Sequence, residues 1–148
     1  MDLALLRLLR TRGHWPPLER AAQLYARAGE NGLLWFAIAA LLRDRRAVRM
    51  VLAALIANTA VKQVVRRSRP DLGPGLPSLA PTISGRSYPS AHAATSFAAA
   101  GALQPALPSL PLYAAAGAMA LTRPYLGVHY PSDVVAGALL GRALERLL

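Results

Sequence analysis

The sequence predicts an all-α, integral-membrane helical bundle of about five spans, preceded by an amphipathic N-terminal arm. Hydrophobic residues make up 54% of the 148 and the mean hydropathy is +0.31, more apolar side chain than a small water-soluble surface readily carries. Apolar stretches of helical length recur from residue 31 to the end, and His92 to Leu121 contains no charged residue. The competing fold is a soluble, alanine-rich bundle, which the shortness of the individual stretches leaves open. Length and uniform composition predict one domain over 1–148, with the arm at 1–29 and the helical core at 30–148.

In the arm, residues 3–10 (Leu-Ala-Leu-Leu-Arg-Leu-Leu-Arg) are apolar and basic but too short to span and carry no small-residue cleavage site. With the stretch from Pro17 to Gly29 they form either a helix at the membrane interface, its arginines meeting lipid phosphates, or a helix packed on the bundle. The first span is placed at Asn31 to Leu42. The second runs from Ala47 to Val65, with Arg49 and Lys62 near its ends where long basic side chains snorkel. Prolines 105, 108 and 111 divide His92–Leu121 into two helices, because proline removes a backbone donor and obstructs the preceding turn. The last span covers Ser132 to Leu148. Within it Gly137 and Gly141 present a small-xxx-small face on which another membrane helix can pack.

A net charge of +10 raises nucleic-acid binding as a function. The arginines, however, are scattered over the ends of apolar segments, not gathered into a stripe with interleaved aromatics. Cysteine is absent, so disulfides and thiol chemistry are excluded. His14, His92 and His129 are too few and too dispersed for a histidine metal site. Of 17 basic residues 16 are arginine, and the single lysine, Lys62, marks a place that takes a compact point charge in preference to a planar fork.

Three clusters carry chemistry. In the first, 62–70, Lys62 and Arg69 lie seven positions apart, about 10 Å along a continuous helix. Pro70 disfavours helix at Arg69, so the helix is expected to end there and let the guanidinium turn back toward the lysine. In the second, 89–92, Pro89 and Ser90 have the pattern of a helix lead-in and N-cap, explained by structure alone. His92 is not so explained: it falls in a first turn whose free N–H groups suit phosphate oxygens, where an imidazole can give a proton to a leaving oxygen. In the third, 123–133, Arg123 precedes His129, and Pro131 opens the last helix so that Asp133 falls in its first turn. From there the carboxylate can hold one nitrogen of His129 protonated and leave the other free to attack phosphorus. Each cluster alone has a plain structural reading: a snorkelling pair, an N-cap, a capping aspartate beside an incidental histidine.

Together, Lys62…Arg69-Pro70, Pro89-Ser90-Ala91-His92 and Arg123…His129…Asp133 resemble the signature of the type 2 phosphatidic acid phosphatase superfamily. The resemblance implies that Lys62, Arg69, Ser90 and Arg123 bind phosphate, helped by backbone N–H groups around Ala91 and His92. It implies His129 as nucleophile, Asp133 as its orienting partner and His92 as general acid and then base, with neither metal nor cofactor. Two positions depart from the family pattern: Ala91 stands where glycine is usual, and Thr122 where serine usually precedes the arginine. The small, arginine-rich form is similar to compact bacterial members acting on polyprenyl-linked phosphates, the decaprenylphosphoryl-phosphoribose type included. Undecaprenyl diphosphate, phosphatidylglycerol phosphate and phosphatidic acid are the other substrates the resemblance allows. It implies a multi-pass protein of the bacterial plasma membrane with lipid phosphate as substrate. A vanadium haloperoxidase and a catalytically silent lipid-binding protein are the alternatives.

The loop from Asp71 to Tyr88 joins two clusters and is the natural place for substrate selection, with Arg86 a candidate headgroup contact. Charge gives opposite indications of sidedness. Arg43, Arg45, Arg46, Arg49, Arg142 and Arg146 lie away from the catalytic end and place it outside, whereas the arginines of the arm draw it inward.

Overall fold

The computed structural model describes residues 1–82 and 84–148. Among these residues seven α-helices form: α1 (Asp2–Thr11), α2 (Pro16–Ala28), α3 (Leu33–Leu41), α4 (Arg45–Val65), α5 (Ala91–Leu103), α6 (Ser109–Tyr125) and α7 (Pro131–Leu147). No strand is present among the described residues beyond an isolated antiparallel bridge between Ser68 and Arg86.

The helix in the middle is α5, and its sequence explains why. Ala93, Ala94, Ala98, Ala99, Ala100 and Ala102 are all buried, and side chains this short let α4, α6 and α7 close on it from every side. Trp35 fills the gap beside α3, its indole N–H donating to Ser96 Oγ at 2.7 Å. On α7 the small-residue face is spent inside the chain, not on a second molecule. A Cβ at Gly137 would overlap the carbonyl oxygen of Ser90, and one at Gly141 that of Ala94. The partner helix of this face is therefore α5.

Several helix ends depart from the sequence expectation, each for a local reason. The first apolar helix starts at Leu33, because Asn31 and Gly32 both have positive φ and break the chain before it. Helix α4 ends at Val65, four residues short of Arg69. Arg66 takes the left-handed conformation and its N–H bonds to Lys62 O, so termination precedes any effect of Pro70. Of the three prolines taken as dividers, Pro111 lies within the first turn of α6, where a missing N–H leaves no bond unmade. Asp44 caps α4, accepting from Ala47 N at 2.9 Å, and Pro131 opens α7 as expected.

The arm consists of α1 and α2, and it packs on the bundle. Leu6 and Arg10 are buried, Tyr25 Oη donates to Ala115 O at 2.9 Å, and Gln23 Nε2 donates to Leu79 O at 2.8 Å. Asp2 accepts from the N–H of Ser132 at 3.1 Å, so the arm lies at the end of the bundle where the three clusters meet. Its opposite face exposes Leu5, Leu9, Trp15, Leu18 and Leu24.

Among the described residues α4 is the one helix long and apolar enough to cross a membrane, with 21 residues and a hydropathy of 1.5. Leucine and valine also face outward on α3, α6 and α7, at Leu33, Leu41, Leu110, Leu121, Val135 and Leu139.

The packing predicts a graded response to added methyl groups. Gly141→Ala should lower the thermal midpoint of the detergent-purified protein by the equivalent of about 1–3 kcal/mol, because the obstacle is backbone. Gly117→Ala, where nothing stands within 4 Å, should raise it by about 0.5–1 kcal/mol through helix propensity.

Candidate active site

The C-terminal end of α4, the N-terminal ends of α5 and α7 and the C-terminal end of α6 surround a cavity of about 400 Å³. Lys62, Arg69, Arg86, Ala91, His92, Arg123 and His129 all line it. The three sequence clusters are thus brought together in space. Ser90 and Asp133 stand behind the wall, both fully buried. The Ser90 hydroxyl caps α5, accepting from Ala93 N at 3.5 Å, and its own N–H donates to Asp133 O at 2.9 Å.

The third cluster is built by a cap. Tyr130 is the N-cap of α7, and the carboxylate of Asp133, three residues on, accepts from the Tyr130 N–H at 2.9 Å through Oδ2. The same oxygen stands 3.5 Å from His129 Nδ1, which has no nearer partner. Burial, at 3% exposure for His129 and 0% for Asp133, keeps water from competing for either group. Burial lowers the His129 imidazole from its ordinary value; the bond to Asp133 opposes this and the cations Arg69, Arg123 and Lys62 reinforce it. Nε2 is the ring nitrogen Asp133 does not engage, and it lies 3.2 Å from Arg69 Nη1.

Arg69 reaches this point by a different route from the one its sequence suggests. Backbone pairing with Gly85 O at 3.2 Å fixes its main chain. Its guanidinium then donates to Ser84 O at 2.6 Å and Val128 O at 2.7 Å. Lys62 Nζ donates to Arg86 O at 3.2 Å, and the Arg86 guanidinium donates to Gln63 Oε1. Arg123 is 6% exposed and its Nε is buried without a partner. Among the described residues Lys62, Arg69 and Arg123 form no ion pair with any carboxylate. Three cations thus converge on one partly desolvated space with Glu30 as the one carboxylate on its described lining, an excess of positive charge that an entering anion would offset.

His92 is held by the arm. Its Nε2 donates to Ala26 O of α2 at 2.9 Å, which fixes the ring and leaves Nδ1 as the other atom. Glu30, Asn31, Asn58 and Gln63 share the same cavity, and none was singled out by the sequence. No group of three or more His, Cys, Asp or Glu side chains is gathered as a metal would need, among the described residues.

Arg67 is the residue sequence reasoning missed. Its Nη1 donates to Asp133 Oδ1 at 2.9 Å and to Ser132 Oγ at 2.7 Å, and its Nη2 donates to Asp2 Oδ2 at 2.8 Å. The guanidinium carbon lies 3.9 Å from the centre of the Tyr130 ring, a cation–π contact. Nothing in Arg66-Arg67-Ser68-Arg69 distinguishes it from its neighbours.

The chain is 40% identical over 143 residues to decaprenylphosphoryl-5-phosphoribose phosphatase of Mycobacterium tuberculosis, covering 90% of this chain and 80% of that one. It is 37% identical over 138 residues to the protein of that name from Mycolicibacterium smegmatis, covering 82% of this chain and 72% of that one. Among solved structures, Aquifex aeolicus LpxE superposes with a TM-score of 0.79 at 26% identity, covering 99% of this chain and 93% of that one. The transmembrane PAP2-type phosphatidylglycerolphosphate phosphatase of Bacillus subtilis gives 0.73 at 24% identity, covering 99% and 81%. The family model of the PAP2 superfamily matches residues 45–148, the stretch that carries all three clusters, and the chain belongs to that superfamily.

Proposed function

We propose that this chain is a multi-pass membrane phosphatase that removes the terminal phosphate from a polyprenyl-linked phosphosugar through a phosphohistidine at His129. Family membership and the phosphatases related to it make the chain a lipid phosphate hydrolase in the membrane. The observation that carries the finer reading is the cluster of Lys62, Arg69 and Arg123, ion-paired to no carboxylate among the described residues, set around Nε2 of a buried histidine whose other nitrogen faces a carboxylate.

In this mechanism the cations hold the phosphate oxygens, supplying the charge stabilisation that metals supply elsewhere. Asp133 keeps the proton on His129 Nδ1, so the Nε2 lone pair attacks phosphorus while the bond to the lipid-side oxygen breaks. His92, entering the cycle protonated on both nitrogens with Nε2–H held on Ala26 O, gives that oxygen the proton of Nδ1. Water then attacks the phosphohistidine, His92 takes a proton from it, the N–P bond breaks and inorganic phosphate leaves. Helices α3 to α7 are the proposed spans, supported by the outward leucines of α3, α6 and α7 and by the hydropathy of α4.

The sugar-linked substrate is supported by the related phosphatases and by the far side of the cavity. A carboxylate in a phosphate site repels its ligand unless it has a donor to bind, and Glu30 lines this one together with Asn31, Asn58 and Gln63. A ribose supplies hydroxyl donors for Glu30 as well as acceptors for the amides, whereas a simple lipid phosphate offers acceptors but no sugar hydroxyl to donate.

His129→Ala should reduce phosphate release from decaprenylphosphoryl-5-phosphoribose by roughly a thousandfold, measured as inorganic phosphate from purified enzyme; equal release by both proteins would end the mechanism. Because His129 is lowered from its ordinary value, its attacking form persists on acidification. The acid limb of kcat/KM, corrected for ionisation of the substrate, should therefore fall below about 6.5, the free imidazole value. Glu30→Gln should raise KM for the phosphoribose lipid about tenfold, the worth of one hydrogen bond to a charged acceptor. The same change should leave KM for dioleoyl phosphatidic acid unchanged or lower it. An equal loss on both substrates would remove Glu30 from sugar recognition.

A further inference from the structure

The arm reaches the catalytic carboxylate through one arginine. Asp2, the first residue of α1, accepts from the Ser132 N–H and from Arg67 Nη2, and takes a further bond from the Ser132 hydroxyl. Arg67 passes the connection on by donating from Nη1 to Asp133 Oδ1. That leaves Oδ2 to the Tyr130 N–H and to His129. Every link in the chain from residue 2 to residue 129 is thus a named polar contact. We infer that Arg67, held in turn by Asp2, is a positioning residue for the reaction: it fixes which carboxylate oxygen of Asp133 faces His129, and so aims the attacking nitrogen. The inference rests on the reading of His129 as nucleophile.

The geometry supports it in three ways. A carboxylate bound through Oδ2 alone can rotate about its terminal torsion, which is broad and roughly two-fold; Arg67 on Oδ1 removes that freedom. Arg67 is itself fixed by Tyr130 beneath its plane and by Ser132 and Asp2 at its edges, and a planar fork meets several acceptors at once in a way lysine cannot. Its burden is also electrostatic. His129 faces Lys62 on α4, His92 on α5, Arg123 on α6, Arg69 from the loop and Asp133 on α7. Arg67 adds a cation behind Asp133, and Asp2 of α1 partly neutralises it.

These charges have opposite signs, and so should the effects of removing them. In protein labelled with ¹⁵N-histidine and purified in detergent, three imidazoles are observed, and His129→Asn identifies the signal of interest. Arg67→Gln should move the titration of His129 upward, because a cation has gone and Asp133 is left with less competition. Asp2→Asn should move it downward, because Arg67 is then unopposed. With decaprenylphosphoryl-5-phosphoribose, Arg67→Gln should lower kcat at least tenfold with KM within twofold, since a small misdirection of the attacking atom is costly. Arg67→Lys should recover the titration and only part of the kcat, keeping the charge without the fork.

Titrations unchanged in both variants, or shifted in the same direction, would overturn the inference. So would a rise in KM at constant kcat, which would make Arg67 a substrate ligand. Should Arg67→Gln fail to fold, the downward shift in Asp2→Asn and the behaviour of Arg67→Lys still decide it. If the wild-type enzyme releases no phosphate from this lipid, the proposed substrate fails on its own while the titrations continue to test the positioning.

Discussion

The Asp133 carboxylate is the junction on which the catalytic end depends. It closes the first turn of α7 through the Tyr130 N–H, backs the His129 ring and receives Arg67. Its main-chain carbonyl meanwhile accepts from the Ser90 N–H at the start of α5. A fully buried carboxylate must have each of its oxygens met, and here meeting them draws α7, the loop after α4 and the head of α5 to one place. Folding the cap and assembling the site are the same event.

Against that anion, and Glu30 on the cavity lining, stand the cations of the cavity. The helices bring them in from α4, from the loop and from α6, and among the described residues no carboxylate forms an ion pair with them. A fold tolerates such a concentration of like charge only if the rest of the bundle secures it, and the alanine-lined contacts of α5 with α4, α6 and α7 do that. The close approach at Gly137 and Gly141 is part of the same arrangement, because it sets how near the heads of α5 and α7 lie.

The legible part of the sequence was its punctuation. Proline and capping residues at 89–90 and 131–133 mark helix ends, so the positions of His92, His129 and Asp133 at those ends could be read before any coordinate. Features decided by backbone geometry or by partners distant in sequence were not legible. Arg66 ends α4 in a left-handed conformation that arginine does not signal, whereas the break at Asn31-Gly32 before α3 falls on two residue types that favour positive φ. Arg67 looks like its neighbours until Asp2 and Asp133, 65 and 66 positions away, are brought to it. The small face of α7 was visible, but only the tertiary structure shows that α5 occupies it.

Helix length has a consequence for the bilayer itself. At 13 and 17 residues, α5 extends about 20 Å and α6 and α7 about 26 Å, less than the roughly 30 Å of hydrocarbon in an ordinary membrane. Hydrophobic mismatch of this sign is relieved by thinning of the surrounding lipid. On the proposed reading of α5, α6 and α7 as spans, a leaflet drawn inward around the bundle would shorten the descent of a polar headgroup to the cavity.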